Sequence, residues 1–255
     1  MNMIELLGVN ISTLKKEGVK TKLNEFLDGE RVHYVVTPNP EFLVLAHKDN
    51  EYCDILNSAD LAVADGVGLQ YAAFLTRQKI PPRVTGNDIV EMLCKIGNAR
   101  GASVFLLGGV DGIAQATSDI LRKKFPSLII NSSFGGEIWH EREGEGKGWH
   151  MNPAVIKEIK NVHPQILFIA LKFGNQERWL RDFLPHLPSV RIGVGVGGTF
   201  NYLSGMSKRA PKWMRTLGLE FLYRLFSERW RARRIYNAVF VFLWLVLKSI
   251  LLSTR

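Results

Sequence analysis

The stretches TPNPE (residues 37–41) and ADGVG (residues 64–68) decide the fold class of this 255-residue chain. Each follows a short apolar run, Val32–Val36 in the first case and Leu61–Val63 in the second. Each stretch therefore falls where a buried strand ends and a helix begins. In open α/β sheets, ligands bind at this carboxyl edge of the strands. The two stretches together predict one site built from two strand ends.

Apolar, β-branched runs alternate with amphipathic stretches along the chain, and this alternation predicts parallel βαβ units with right-handed crossovers. The predicted fold class is α/β: a Rossmann-like parallel sheet with flanking helices, plus a basic, amphipathic helical C-terminal appendage. The predicted domains are residues 1–204 for the Rossmann-like part and 205–255 for the appendage. The predicted strands are Val32–Val36, Leu61–Ala64, Ser103–Leu107, Leu128–Asn131, Ile166–Ala170 and Val190–Val194. The predicted helices lie near Glu41–Leu56, Gly68–Thr76, Asn87–Asn98, Gly112–Lys124, Ala154–Lys160 and Gln176–Leu184.

The composition is that of a globular protein, with 46% hydrophobic and 22% charged residues. The net charge is +9, and the segment from Gly205 to Ile235 carries nine Lys and Arg against two Glu. Cys53 and Cys94 lie in apolar helical patterns, so we expect two small buried residues in a reducing compartment. The N-terminus lacks the basic region and long apolar core of a signal peptide, so we expect the protein to act in the cytoplasm.

A ten-residue apolar run, Ala238–Leu247 (AVFVFLWLVL), follows the basic segment. A spanning helix needs about 20 apolar residues, and Lys248 interrupts this shorter run. Arginines on one side, together with Trp230 and Trp244, favour a helix that lies in the membrane interface. The alternative interpretation is a C-terminal helix that packs on the domain or on another subunit.

Glycines and short polar residues follow the predicted strands. Glycine lets backbone N–H groups approach a ligand closely, and helix N-termini attract anions, so the pattern predicts a phosphorylated ligand. The run Gly193–Gly198 (GVGVGG) looks like a dinucleotide fingerprint, but it closes the last strand and does not sit in the first βα turn. We interpret it as a tight turn beside a ligand.

Asp65 is the candidate general base, because a carboxylate at the ligand edge of a sheet can take up a proton. The alternative is a turn or N-cap residue. Arg83 follows two prolines and is suited either to clamp a phosphate or to form a surface salt bridge. No metal site is predicted, because the histidines are scattered and lack ligand spacing. The charged, Gly-rich patch HEREGEGK at residues 140–147 predicts a mobile loop.

The motifs, in their order along the chain, resemble the WecG/TagA/CpsF family of bacterial glycosyltransferases. The resemblance runs from about Ile4 to Arg234. It implies a Rossmann-like domain with an appendage that approaches the membrane, and a metal-independent, inverting enzyme that moves a sugar from a UDP donor to a lipid-linked acceptor. The motifs are TPNPEF, ADGVGL, RVTGND, FLLGG, NQERW, GVGGTFNYLSG, RAPKWMRTLGLEFLYRL and RARR.

The resemblance also implies roles for single residues. Asp65 matches the general base, and Thr37 is the second expected catalytic residue because it would stabilise the leaving diphosphate. The residues expected to bind the nucleotide sugar are Asn39, Arg83, Gly108, Gly109, Gln176, Gly197 and Thr199. Those expected to face the acceptor diphosphate or the lipid surface are Arg224, Arg231 and Arg234.

The chain departs from the family pattern at two places. Gly174-Asn175 stands where the family usually has Pro-Lys before the Gln-Glu pair, which removes a cationic side chain. Phe200-Asn201 stands where the family often has Phe-Asp. Both departures lie at the predicted rim, so they concern the identity of the donor sugar more than the type of reaction.

The resemblance implies transfer of N-acetylmannosamine or a related hexose to an acceptor such as N-acetylglucosaminyl-diphosphoundecaprenol, in the synthesis of teichoic acid or another cell-surface polysaccharide. The alternatives are a non-catalytic nucleotide-binding scaffold of a polysaccharide assembly complex and an NAD-dependent oxidoreductase. The expected partners are the UDP-sugar, the lipid-linked acceptor, the membrane surface and a second copy of the chain, with no nucleic acid and no cofactor. The expected location is the inner face of the bacterial cell membrane, as a peripheral protein.

Overall fold

The computed structural model describes residues 3–141, 148–211, 213–214, 218–227 and 232–253. The chain forms two compact units. Unit 1 comprises Met1–Glu17, Thr37–Thr85 and Lys208–Arg255, and unit 2 comprises Gly18–Val36 and Gly86–Ser207. The predicted boundary between residues 204 and 205 stays a prediction.

A parallel sheet forms the core of unit 2. Its strands run in the order β3–β10–β9–β5–β6, and each strand is parallel to its neighbours. The three inner strands are almost wholly apolar, as expected for a parallel sheet covered on both faces. The strands are β3 (His33–Val36), β5 (Ser103–Gly108), β6 (Ile129–Ser133), β9 (Ile166–Ala170) and β10 (Ile192–Gly195). Strand β4 (Leu61–Ala62) belongs to unit 1.

Helices alternate with these strands and confirm the predicted α/β class. They are α1 (Lys16–Asp28), α5 (Gly86–Arg100), α6 (Ile113–Lys124), α7 (Pro153–Val162), α8 (Asn175–Phe183) and the short α9 (Thr199–Leu203). A 3₁₀ turn at Leu184–His186 follows α8. The sequence-based prediction missed α1, whose apolar residues Val19, Leu23, Phe26 and Leu27 form the helical spacing that indicates it.

A β-hairpin replaces part of the predicted mobile loop in unit 2. Strands β7 (Ile138–Glu141) and β8 (Gly148–Met151) pair antiparallel, so His140 and Glu141 are in a strand and that part of the prediction was wrong. The rest of the predicted loop, residues 142–147, lies outside the described residues. Cross-strand aromatic contacts hold the hairpin, with the Trp139 and His150 rings stacked and the His140 ring edge-on to Trp149.

Unit 1 begins with an antiparallel hairpin that the sequence-based prediction missed, β1 (Met3–Leu6) and β2 (Val9–Ser12). The predicted helix near Glu41–Leu56 is two helices, α2 (Pro40–Ala46) and α3 (Asn50–Asn57). The break is stabilised by Asp49, whose side chain accepts a hydrogen bond from the Tyr52 N–H as the N-cap of α3. The further helices among the described residues of unit 1 are α4 (Val67–Leu75), α10 (Glu220–Ser227), α11 (Ala232–Tyr236) and α12 (Phe242–Ser253).

The C-terminal helix is longer than the apolar run from which it was predicted. A π-helical segment, Asn237–Val241, joins α11 to α12. Among the described residues, one helix is long and apolar enough to cross a membrane by length and composition: Ala232–Leu252, 21 residues with a mean hydropathy of 2.1. The ten-residue run at 238–247 therefore underestimated the length of the apolar helix, because helical residues continue on both sides of it.

Candidate functional site

In unit 1, the predicted catalytic stretches lie side by side. The Asp65 N–H donates a hydrogen bond to the Pro38 carbonyl (2.8 Å), so ADGVG runs next to TPNPE. An added Cβ on Gly66, where φ is 101°, would lie 3.8 Å from the Asn39 Cβ. The Val84 N–H donates to the Ala64 carbonyl (3.1 Å), which brings the RVTGND stretch to the same place. The structure therefore brings together the backbone stretches of unit 1 that carry residues expected to bind the nucleotide sugar.

Thr37, Asn39 and Asp65 differ in how they are held. Thr37 is buried directly after β3. Asn39 caps α2: its Oδ1 accepts hydrogen bonds from the Glu41 N–H (2.9 Å) and the Phe42 N–H (3.3 Å). Asp65 is half-buried between β4 and the start of α4. A capping Asn with a fixed side chain can still present its amide N–H₂ to a ligand, because the cap uses only the oxygen.

Arg83 belongs to a cluster of charged side chains in unit 1, which we call the Glu220 cluster: Glu220, Arg83, Arg209 and Arg224. Arg224 Nη2 donates to Glu220 Oε1 at 2.6 Å, one turn along α10. Arg83 Nη1 lies 3.6 Å from Glu220 Oε2, and Arg209 Nε lies 4.0 Å from Glu220 Oε1. One carboxylate therefore faces three guanidinium groups, and the cluster keeps a positive charge.

The pKa of Glu220 lies below its usual range. Burial alone would raise the pKa of this carboxyl, but the charges of Arg224, Arg209 and Arg83 and the hydrogen bond from Arg224 outweigh that effect. Glu220 is therefore ionised at neutral pH and holds the arginines in place. Neither Glu220 nor Arg209 was among the predicted site residues. The spacing of Glu220 and Arg224, four residues apart in an amphipathic stretch, is the signal that could have identified that pair.

The predicted acceptor arginines are not all in one place. Arg224 is in the Glu220 cluster, whereas Arg234 makes a two-pronged ion pair with Glu41 in the first turn of α2. The Arg234 Nε and Nη2 atoms lie 2.6 and 2.9 Å from the two Glu41 carboxylate oxygens. Arg231 lies outside the described residues. The Arg234–Glu41 pair thus connects the C-terminal helix to the TPNPEF stretch.

In unit 2, the Gln176 side chain is held at both of its polar atoms. Its Oε1 accepts from the Gly197 N–H (2.9 Å), and its Nε2 donates to Glu177 Oε1 (2.6 Å). Gln176 is 4% exposed and Glu177 1% exposed. Burial raises the pKa of Tyr34, and the nearby Glu177 charge adds to that rise. Gln176 therefore clamps the turn after β10, and Glu177, which the sequence-based prediction did not single out, orients the clamp.

The glycines predicted to contact the nucleotide sugar have backbone reasons to be glycine. Gly108 and Gly109 have φ of 94° and 83°, values that favour glycine. An added Cβ on Gly108 would lie 2.7 Å from the Ala170 carbonyl oxygen, which accepts from the Gly109 N–H (2.7 Å). Gly197 has φ of 49°, and Thr199 is buried at the start of α9. These turns place backbone N–H groups at the carboxyl ends of β5 and β10.

The described residues contain no group of three or more His, Cys, Asp or Glu side chains that could hold a metal ion. The arginines of the Glu220 cluster are cationic groups that can stabilise negative charge. The Glu220 cluster of unit 1 therefore suits an anionic, phosphorylated ligand, and the same unit carries the carboxylate of Asp65.

Comparison with known proteins matches residues 4–255 to the Glycosyl transferase WecG/TagA/CpsF family. A relative from Bacillus subtilis (strain 168) is 29% identical over 227 residues, 86% of this chain and 84% of its own length. A relative from Staphylococcus aureus (strain MW2) is 26% identical over 248 residues, 96% of this chain and 92% of its own length. Both are named N-acetylglucosaminyldiphosphoundecaprenol N-acetyl-beta-D-mannosaminyltransferase.

These names support the glycosyltransferase interpretation and neither the scaffold nor the oxidoreductase alternative. The match covers both compact units and extends through the C-terminal helix. The chain therefore belongs to the WecG/TagA/CpsF family of glycosyl transferases.

Proposed function

We propose that this glycosyltransferase moves N-acetylmannosamine, or a related hexose, from a UDP-sugar to a polyprenyl-diphosphate-linked sugar such as N-acetylglucosaminyl-diphosphoundecaprenol. The product would enter the synthesis of teichoic acid or another cell-surface polysaccharide. One observation carries this proposal: two relatives named for that acceptor and that sugar align with 86% and 96% of the chain.

The proposed reaction is a single in-line displacement without a metal ion. The acceptor hydroxyl oxygen forms a bond to the anomeric carbon, while the bond from that carbon to the UDP oxygen breaks on the opposite face. Asp65 takes the hydroxyl proton, and UDP leaves with the electron pair of the broken bond. The configuration inverts, so an α-linked donor yields a β-linked product. The backbone hydrogen bond from Asp65 to Pro38 supports the role of Asp65, because it fixes the base next to Thr37 and Asn39.

The Glu220 cluster is proposed to bind the diphosphates. Three arginines around one carboxylate retain positive charge, and guanidinium groups match phosphate oxygens with paired N–H donors. Arg83 would bind the donor diphosphate and Arg224 the acceptor diphosphate, with Thr37 assisting the leaving group. Glu220 would keep both guanidinium groups oriented before substrate arrives, so that little reorganisation is needed during the reaction.

In unit 2, we propose that Gly108, Gly109, Gly197 and Thr199 contact the nucleotide sugar. The glycines would let the ligand approach the backbone closely, and the Thr199 hydroxyl would hydrogen-bond to it. Gln176 would act on the same ligand by holding the Gly197 turn in place, as its two hydrogen bonds suggest. Arg231 and Arg234 are proposed to face the acceptor or the lipid surface.

The enzyme is proposed to bind the inner face of the cell membrane as a peripheral protein. The C-terminal helix is long and apolar enough to span a membrane. However, its Phe242 and Val246 side chains are buried, and α12 contacts α2 and α4 of unit 1. A helix packed on the protein along its middle fits an interfacial position better than a transmembrane one. Deleting Tyr236–Arg255 should release the protein from anionic vesicles. Unchanged sedimentation with vesicles would contradict this part of the proposal.

The activity is tested by UDP release from a panel of UDP-sugars, with a short-chain N-acetylglucosaminyl-diphospholipid as acceptor and EDTA present. We expect that one UDP-sugar of the panel releases UDP, and that this release requires the acceptor. Asp65→Asn should lower turnover about 10²–10⁴-fold, the usual contribution of a positioned base, with UDP binding retained. Asp119→Asn, at an exposed site on α6, is the matched control. Turnover of Asp65→Asn near that of the control would refute the assignment of the base.

A further inference from the structure

Helix α4 in unit 1 carries an exposed apolar face, formed by Tyr71, Phe74 and Leu75, which we call the α4 face. The relative exposures of these side chains are 60%, 79% and 38%. Leu69, Ala72 and Ala73 of the same helix are buried. A helix that is apolar on its outer as well as its inner side is unusual in water and indicates a protein or membrane contact.

The α4 face lies on a helix that contacts the C-terminal helix, within the same compact unit. The start of α4 is also covered by the appendage, because an added Cβ on Gly218 would lie 2.7 Å from Val67 Cγ1. The C-terminal helix has its own exposed apolar stripe with helical spacing: Tyr236, Phe240, Leu243, Trp244, Leu247 and Leu251. Two contacting helices of unit 1 therefore both expose large apolar side chains.

The end of α4 places basic residues beside this face. The Gln78 N–H donates to the Ala73 carbonyl (2.7 Å) and the Arg77 N–H to the Phe74 carbonyl (3.1 Å), a Schellman motif. Arg77 occupies the left-handed position of that motif, with φ of 57°, where glycine is the usual residue. Arg77 and Lys79 are exposed, and the segment 71–79 (YAAFLTRQK) contains no acidic residue.

We propose that the α4 face is a second membrane contact, in which Tyr71, Phe74 and Leu75 enter the interface of an anionic bilayer while Arg77 and Lys79 meet lipid phosphates. Aromatic side chains favour the interface, and basic residues favour anionic lipid. The absence of acidic residues and the contact with α12 favour a bilayer over a protein partner. The inference rests on the proposed membrane docking. Two membrane contacts, the α4 face and the C-terminal helix, would fix the orientation of unit 1 on the bilayer, which a single helix could not do.

The test is sedimentation of the full chain with vesicles of phosphatidylglycerol and phosphatidylcholine, at low salt because screening weakens the basic contribution. Phe74→Glu should lower the partition coefficient about tenfold or more, because it removes an aromatic residue and adds a charge that anionic lipid repels. Arg77→Gly should lower it about fivefold, with a Tm equal to or above that of the parent chain. Ile129→Glu, at an exposed apolar residue of unit 2, is the control and should change partitioning less than twofold.

Turnover separates this inference from the proposed function. Phe74→Glu should keep its activity on a water-soluble acceptor and lose it on an acceptor embedded in vesicles. Partitioning of Phe74→Glu equal to that of the Ile129→Glu control would overturn the inference while leaving the proposed function intact. Conversion of an oligomer to a monomer by Phe74→Glu, with vesicle binding unchanged, would also overturn it, because the face would then contact a second copy. A parent chain that does not bind vesicles would refute the docking proposal itself.

Discussion

Replacing Gly195 with alanine tests whether Gln176 is a clamp of the turn after β10. Gly195 ends β10, and an added Cβ would lie 2.8 Å from Gln176 Nε2 and 2.9 Å from its Cδ. Gln176 cannot simply rotate away, because it is buried and its two polar atoms bond to Glu177 and to the Gly197 N–H. The methyl group would therefore push the amide out of both hydrogen bonds.

The expected cost follows from those two bonds. The bond to the Gly197 N–H contributes about 0.5–1.5 kcal/mol and the bond to the Glu177 carboxylate about 1.5–3 kcal/mol. Partial relaxation of the surrounding core reduces the loss, whereas overpacking adds to it. We expect Gly195→Ala to lower the free energy of unfolding by about 2–4 kcal/mol, and to weaken UDP binding because the Gly197 turn loses its support.

Urea denaturation and UDP titration measure these two effects. A double-mutant cycle with Gln176→Ala isolates the clash, because removing the glutamine side chain makes room for the methyl group. In that background Gly195→Ala should cost under about 0.5 kcal/mol. Gly29→Ala is the control for an added methyl group without a clash, since an added Cβ on Gly29 would lie no closer than 3.7 Å to the atoms around it and the residue is free of positive φ. An equal cost of Gly195→Ala in both backgrounds would refute the clamp.

Three further predictions concern unit 1. The folded-state pKa of Glu220 is depressed, so its stabilising contribution is present above the unfolded pKa of about 4.3 and is lost as pH falls through the folded pKa. The free energy of unfolding should therefore fall less steeply with acidification in Glu220→Gln than in the parent chain. Equal pH dependence of the two proteins would contradict the cluster. Gly218 has φ of 75°, and an added Cβ would lie 2.7 Å from Val67 Cγ1. Gly218→Ala should therefore lower the free energy of unfolding by about 2–4 kcal/mol in urea denaturation. Glu41→Gln should weaken the ion pair with Arg234 and speed proteolysis at the C-terminal helix, whereas an unchanged cleavage rate would show that packing alone holds it.

Local patterns predicted most of the parallel framework. The apolar run Ile166–Ala170 appears as a strand with the predicted bounds, and the other predicted strands appear with bounds shifted by one to two residues, because a strand buried on both faces needs continuous apolar sequence. The paired strands Ile138–Glu141 and Gly148–Met151 were missed, because they carry polar and aromatic residues and are stabilised by cross-strand ring contacts. The helix near Glu41–Leu56 was predicted as one piece, because periodicity alone did not reveal the N-cap at Asp49.

The sequence alone determined the α/β class, the position of Asp65 after a strand and the basic, apolar character of the C-terminal segment, because each depends on residues close together in the chain. Only the tertiary structure decided how the side chains are partnered. Glu220 pairs with Arg83, and Gln176 holds the Gly197 turn. These pairings join residues far apart in sequence, where periodicity and spacing carry no signal, and their energies depend on distances and burial that exist only after the chain has folded.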